Sequence, residues 1–419
     1  MPDKKTPQLL SDSKFFTRST LLVFFMSILT MVIYNYRLYQ SIFVLAGDSM
    51  LYLSVAQNFV HTGHFIQNSR LHEVNMVVPP GVPLLLTLVL AMTHTYGIII
   101  FQYVLFGLSA VLLSKAAGTF SKAAACLAPL LFVSSCVYAG FPNPSTLMTE
   151  TYYIFLMCLS LFLFFHPSMS NPKKVLVLVP VLFYTLLVRP VIGALLGEAL
   201  VVMVVFVLQK KIPAKRLVAY LVSFAAILAV NTCVNYRETG HLIMLEDYGA
   251  SAVYIANNPN ASTDAYNLDL LDELVDDYYR EIESNPDLDR YQKNVLEKER
   301  ASEFISEHLP LVLKNAAIKY KHLYLPNQWN WNFLFLFISF AVLFWKKKLS
   351  LPAVLLLVTA FCLSTIPPAF GLYSPRYSTP CIPFYTLFNG ILYGLAGEAV
   401  WRWLCRPKNA YSSEEAPRG

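Results

Sequence analysis

The strongest constraint on this chain is a series of apolar runs, roughly 17–25 residues each, separated by short loops that carry lysine and arginine. A helix needs about 20 residues to cross a ~30 Å hydrocarbon core. In lipid the backbone must satisfy its own hydrogen bonds, which leaves helices or closed barrels. The alternating strands of about ten residues that mark a barrel are absent, so the runs predict helices. Ten candidate spans follow: 19–36, 98–114, 122–139, 148–165, 174–189, 191–208, 216–235, 331–345, 351–368 and 379–404. Composition agrees, with 56% hydrophobic residues, 14% charged residues and a mean hydropathy of +0.50. The expected fold class is an all-α polytopic membrane protein with about ten transmembrane helices.

One apolar stretch, 82–92, is too short to cross: about eleven residues make a helix of roughly 17 Å. It follows Pro79-Pro80 and contains Pro83. Loop charge decides how it runs, because positively charged short loops stay cytoplasmic. If 82–92 turns back as a re-entrant or interfacial helix, Lys115/Lys122, Lys173/Lys174, Lys210/Lys211/Lys215/Arg216, Lys346–Lys348 and Arg402/Arg406/Lys408 all share the side of the N-terminus. If it crossed, the loops from Lys115 to Arg216 would invert against the rest. The expected organisation is therefore a cytoplasmic N-terminus (1–18), a transmembrane bundle (19–235) holding a first outer loop (37–81), an extracytoplasmic helical loop region (236–328), C-terminal transmembrane helices (329–405) and a cytoplasmic tail (406–419). The first run has no convincing cleavage site after it and reads as a retained anchor.

The net charge of +6 is a topology signal; no basic stripe of the kind that tracks nucleic acid is present. The seven cysteines lie in or at the ends of apolar runs, which suits packing better than a disulfide or metal framework. The middle of the second outer segment is acidic, with Asp264, Asp269, Asp272, Glu273, Asp276, Asp277, Glu281 and Glu283. Leu271, Val275, Tyr278 and Ile282 fall at helical spacing there, predicting an amphipathic helix with a solvated charged face. A divalent cation bound by that run is the lesser reading, and no metal ligand set is expected. Residues 311–324 mix Leu313, Ala317, Tyr320 and Tyr324 with Lys314, Lys319, Lys321 and His322, as in a helix lying at the interface. Trp329 and Trp331 mark the interfacial belt.

Ionisable groups near apolar segments need a reason, since each costs a few kcal/mol at the bilayer centre. Asp48 follows the first span and Glu150 opens another. Arg189 stands before Pro190 at a turn between spans, and Arg376 sits just before the last span. The topology puts these four on the outer side. Glu198, mid-span, reads as a buried packing partner. Ordinary roles exist for the four: Asp48 as a helix N-cap, Glu150 as a cap of its own helix, the arginines as snorkelling anchors. The alternative is that they converge on one cavity. Two carboxylates and two arginines suit a lipid-linked anionic substrate, because arginine grips phosphate through a rigid fork and a carboxylate can take a hydroxyl proton.

The stretch from Gly47 to Phe65, with Asp48, Tyr52, Ala56-Gln57-Asn58 and Gly63-His64-Phe65, resembles the first outer loop of polytopic GT-C glycosyltransferases. That superfamily includes dolichyl-phosphate-mannose–protein mannosyltransferase-like enzymes and the aminoarabinose transferases that modify lipid A. Pro79-Pro80-Gly81-Val82-Pro83, Thr149-Glu150, Arg189-Pro190, Asn235-Tyr236-Arg237 with Gly240, and Arg376-Tyr377 followed by Pro380 and Pro383 resemble further family motifs in the family's order. The likeness covers roughly residues 19 to 405. It departs from the family in lacking an Asp-x-Asp in the first loop, and its long loop holds no recognisable acceptor-binding domain.

The resemblance implies an inverting transferase that moves a sugar from a polyprenyl-phosphate donor to a lipid, glycan or protein acceptor on the extracytoplasmic face. Asp48 is the expected catalytic base. Glu150, Arg189, Arg376, Tyr52 and Tyr377 are the expected substrate-binding residues. The expected location is a bacterial inner membrane, with membrane lipids around it and no nucleic acid as partner. Two other readings stay open. A lipid-linked glycan ligase or polymerase would use a diphosphate donor. A transporter or flippase would call for midplane charges and an internal repeat; the sequence offers Glu198 and no repeat.

Overall fold

The computed structural model describes residues 17–45, 48–66, 77–140, 143–247, 249–261, 275–324, 330–371 and 379–405. Among them the protein is all-helical, without a β-strand; its one extended pairing is an isolated parallel bridge between Val44 and Thr146. Nine helices make up the first part: α1 (Arg18–Tyr39), α2 (Ser49–Thr62), α3 (Gly81–Met92), α4 (Thr95–Gly118), α5 (Lys122–Ala139), α6 (Thr149–Phe165), α7 (Asn171–Val188), α8 (Gly193–Leu208) and α9 (Ala214–Thr239). Four follow in the polar region: α10 (Gly249–Ala256), α11 (Asp277–Ser284), α12 (Arg290–Glu307) and α13 (Leu309–Tyr324). The last three are α14 (Asn330–Trp345), α15 (Leu351–Thr365) and α16 (Ile382–Leu404). Each of the ten apolar segments expected from the sequence is a helix.

Five helical segments are long and apolar enough to cross a membrane: Arg18–Tyr39, Thr95–Gly118, Asn171–Val188, Pro190–Leu208 and Ala214–Thr239. The apolar helices Gly81–Met92, Lys122–Tyr138, Thr149–Phe165, Leu334–Trp345 and Leu351–Thr365 are shorter. Helix α4 is the axis of the bundle and packs on α1, α5 and α6. Helix α9 stands at the periphery with only 6% of its apolar window buried, and Val218, Val222 and Val230 point outward. An apolar surface of this extent suits lipid and is rarely left to water. The chain is a helical membrane protein.

The most extensive helix pairing joins α5 and α16, and small residues make it so. A Cβ added at Gly390 would lie 2.6 Å from Ala128 Cα, and one added at Gly394 would lie 2.5 Å from Ala124 N. Two backbones thus meet along a Gly-x-x-x-Gly face against Ala124 and Ala128, the close approach that small residues permit between helices in lipid.

Helix α3 begins and ends toward the same end of the bundle. Its first residue, Gly81, sits against the Leu187 backbone at the C-terminus of α7, and Tyr184 Oη donates to Gly81 O at 2.8 Å. Three residues after α3 ends, α4 starts, and its Gln102 Nε2 already donates to Thr146 O, 2.7 Å away, just before α6. Both contacts lie at the end where α6 starts and α7 stops, so α3 does not traverse the bundle.

One local expectation is corrected. The helix expected through Leu271, Val275, Tyr278 and Ile282 starts only at Asp277, because the Asp276 side chain accepts from Tyr279 N and ends the preceding segment. Val275 precedes the helix, and Leu271 lies outside the described residues. The segment expected to lie as a helix at the interface is helix α13, in which Lys319 is buried while Leu309, Leu311 and Leu313 are exposed.

Candidate functional site

Of the candidate residues the structure brings Glu150 and Arg189 together, beside loops that are tied to one another. Val44 N donates to Ser145 O at 2.9 Å, forming the bridge that holds the chain after α1 beside the chain before α6. The second strand of that bridge is rigid: Asn143 Oδ1 accepts from Ser145 N and Oγ, and Asn143, Ser145, Thr146 and Leu147 are buried. Asp48 follows Val44 by four residues, and Glu150 follows Thr146 by four.

Asp48 occupies the N-cap position of α2, as the capping reading required. Its backbone is helical (φ −69°, ψ 0°), and its side chain makes no capping hydrogen bond. Capping uses an extended N-cap backbone that aims the side chain at the first free N–H groups. Tyr52, one turn on, is buried in the core.

Glu150 and Arg189 meet. Glu150 lies in the first turn of α6 and is 1% exposed; Arg189 ends α7. Arg189 Nη1 stands 3.4 Å from Glu150 Oε1, and the guanidinium carbon lies 5.6 Å from the Tyr153 ring centre. A carboxylate in a first helical turn faces the positive end of the helix dipole, which adds to the attraction of the arginine. Glu150 caps no helix here, and Arg189 is not a snorkelling anchor, since its side chain is only 13% exposed. Arg376 and Tyr377 lie outside the described residues. Glu198 is half-buried on α8.

A second polar centre, which the sequence did not announce, joins the first loop to α9 and the polar region. Arg237 donates to Gly63 O at 3.2 Å and pairs with Glu238, and His64 Nδ1 lies 2.8 Å from Glu238 Oε2. Val77 N donates to Asp247 Oδ1 at 2.9 Å, and Asp247 N donates to Val77 O at 3.3 Å. Asp247 borders a cleft of about 200 Å³ together with Glu238, His241, Asp289, Arg290 and Lys293. Burial pushes the Asp247 carboxyl up to about 6, against the pull of the Val77 N–H and the Arg290 charge. Arg290 is buried between Glu283 (2.6 Å) and Glu297 (2.9 Å). His241 stacks on Tyr291 with ring centres 4.2 Å apart and bonds Asp289 at 2.8 Å. The spacing of Glu283, Arg290 and Glu297, seven residues apart on each side, was a readable signal for that triad. Asp247 carried none.

Lys319 is a third buried ion. Its Nζ donates to Ala256 O at 3.2 Å and to Gly371 O at 3.4 Å, and desolvation brings the amine down to about 8. It holds the C-terminal carbonyl of α10 beside the turn that follows α15, just before the segment carrying Arg376.

Among the described residues no group of three or more His, Cys, Asp or Glu side chains is arranged to hold a metal ion. In the acidic run, Asp264, Asp269, Asp272 and Glu273 lie outside the described residues. Three of its described members have partners: Asp276 accepts from Tyr254 Oη at 2.7 Å, Asp277 pairs with Arg280 and Glu283 with Arg290. All seven cysteines are free.

The fold and these centres define a helical membrane protein with a buried ion pair and a tied loop system at one end of its bundle. No protein-family model matches the chain, and no curated protein matches it in sequence.

Proposed function

We propose that the chain is an integral membrane glycosyltransferase of GT-C type, moving a sugar from a polyprenyl-phosphate donor to an acceptor on the extracytoplasmic face. The observation that carries the reading is the pairing of buried Glu150 with Arg189 beside the Tyr153 ring. In this reading ten helices cross the bilayer, both termini are cytoplasmic and the Asp48 end is extracytoplasmic. The membrane is a bacterial inner membrane. The basic loops before α5, α7, α9 and α15 and the basic segment that ends the chain after α16 then stay inside.

Asp48 takes the proton of the acceptor hydroxyl as its oxygen bonds to the anomeric carbon. The bond from that carbon to the phosphate oxygen breaks through an oxocarbenium-like transition state. The electron pair leaves with the lipid phosphate, whose growing charge Arg189 and Arg376 stabilise. Glu150 holds the Arg189 fork in place, and Tyr52 and Tyr377 line the sugar. The acceptor attacks from the face opposite the phosphate, so configuration inverts.

The test is consumption of a radiolabelled polyprenyl-phosphate-sugar pool by membranes containing the wild type or Asp48→Asn. Donor consumption that disappears in the variant supports the reading. A wild type that is correctly inserted yet consumes no monophosphate donor refutes it.

A further inference from the structure

Two of the turns between helices are built alike, and each puts a lysine where glycine would cost less. Lys210, after α8, has a φ of 57°, and Lys347, after α14, has a φ of 53°. Both adopt the left-handed conformation that crowds a Cβ against the following carbonyl and that glycine takes freely. In the first turn Lys211 N and Ile212 N both donate to Phe206 O; in the second Lys348 N and Leu349 N both donate to Leu343 O. Ile212 and Leu349 are buried and close the turns, while Leu208 and Trp345, each the last residue of its helix, are 77% and 87% exposed. The second turn has two further features. Lys346, Lys347 and Lys348 are consecutive and exposed. Beside them runs an open groove of about 850 Å³ lined by Ala341, Phe344, Trp345, Lys347, Leu349 and Ser350.

The groove is divided by chemistry. Ala341, Phe344, Trp345 and Leu349 form an apolar wall on the surface of a helical membrane protein, and an exposed tryptophan suits the depth of lipid headgroups. Lys347 and Ser350 make the polar end; Ser350 is the N-cap of α15, yet its side chain makes no capping hydrogen bond. No lining residue is acidic, and the chain holds no Asp or Glu between Glu307 and Glu398. A free anion would leave the apolar wall to water. An apolar helix or a second copy would leave the three lysines without counter-charge, and a zwitterionic headgroup would bring its own ammonium against them. A lipid with a net negative headgroup answers both halves: its phosphate accepts from Lys347 and Ser350, and an acyl chain lies along the wall. We propose that this groove is a binding site for an anionic phospholipid of the bilayer, held at its headgroup by the Lys346–Lys348 turn.

The site is separate from the Glu150–Arg189 pair. Helix α15 starts at the groove and runs 15 residues, about 22 Å, before the turn whose Gly371 O accepts from Lys319 of the polar region. Lipid binding there requires no transferase chemistry.

The experiment is fluorescence quenching on the full-length protein in phosphatidylcholine vesicles, titrated with brominated phosphatidylglycerol or, separately, brominated phosphatidylcholine. The Trp345 signal is the difference between each protein and its Trp345→Phe counterpart. Brominated phosphatidylglycerol should half-quench that signal at a mole fraction about fivefold lower, or more, than brominated phosphatidylcholine. Lys347→Gln keeps a long unbranched side chain on the turn, and Lys347→Gly relaxes the turn; each should remove most of the preference, so a folding defect in one does not decide the result. Lys210→Gln, in the twin turn outside the groove, should leave the preference unchanged. Equal quenching by the two lipids, or a preference that survives both Lys347 variants, would overturn the proposal. An equal loss in Lys210→Gln would assign the preference to basic loops in general, and its loss on adding inorganic phosphate would assign the lysines to a free anion. A Trp345 signal quenched by neither lipid would mean that another copy or partner covers the groove. Each of these outcomes is likewise fatal to the lipid site.

Discussion

Neutralising Glu150 should cost more stability than neutralising Glu150 and Arg189 together would suggest from the single variants. The two charges stand 3.4 Å apart with side chains 1% and 13% exposed. At an effective dielectric constant of about 20 their attraction is ~5 kcal/mol, offset by the cost of drying both ions. Glu150→Gln preserves the shape and leaves the Arg189 charge against the Tyr153 ring without its counter-ion, at an expected cost of about 3–5 kcal/mol. Arg189→Met strands a carboxylate at an almost fully buried position and belongs at the upper end of that range. The double variant buries neither charge, so its loss should fall short of the summed single losses by ~2–3 kcal/mol. Thermal unfolding in detergent with a thiol-reactive dye reads this directly, because Cys136, Cys158 and Cys381 are free and buried in the fold. Single losses of the expected size lower the midpoint by several degrees. If the losses simply add, to within about 0.5 kcal/mol, the two residues are neighbours without being coupled, and the electrostatic account of this site is wrong.

Three further outcomes are expected. Asp48→Asn should insert and fold like the wild type while transfer falls at least ~100-fold, the usual contribution of a general base; retained transfer in the donor assay removes Asp48 from that role. Gly394→Leu drives a side chain into the Ala124 backbone and should cost at least 1–3 kcal/mol, read as a lower unfolding midpoint, whereas the same change at Gly397, where a Cβ meets open space, should cost far less. Folded Asp247 holds its proton more tightly than the unfolded chain does, so its ionisation counts against folding. Between about pH 4 and pH 6 the wild type should therefore lose stability relative to Asp247→Asn as pH rises, and the difference between 3.8 and about 6 is worth ~3 kcal/mol. A gap that is flat over that window, or that moves the other way, contradicts the assignment.

The helices were legible because span length and apolarity are set by local sequence alone. What each helix faces was not legible. In α4 nearly every side is apolar, so lipid-facing and protein-facing residues share one chemistry and no periodicity marks the buried stripe. The α5–α16 contact was hidden for a related reason: Gly390 and Gly394 act by the absence of a side chain, and their partners Ala124 and Ala128 look like ordinary helix filler. The burial of Lys319 was not legible because a basic residue on a mixed helix is normally solvated, while here the Ala256 and Gly371 carbonyls accept its hydrogen bonds. Glu150 and Arg189 were singled out for their cost near lipid, but only the fold pairs them. Asp247 follows Glu246 in a polar stretch, and nothing local distinguishes it from a surface carboxylate.

Burial of ions at one end of the bundle constrains function more than any single residue does. Glu150, Arg189, Asp247, Arg290, Glu297 and Lys319 are all largely removed from solvent, and each would be cheaper as an apolar residue if stability alone were at stake. The segments that carry them are cross-linked by short contacts between residues far apart in sequence: Val44 with Ser145, Gly63 with Arg237, Val77 with Asp247, and Ala256 and Gly371 through Lys319. A shift of the first loop therefore moves the polar region, and a shift of the polar region moves the turn before residue 372. Preorganised charge of this kind is what transition-state stabilisation of a departing phosphate calls for, since donors already held in place need no reorganisation as charge develops.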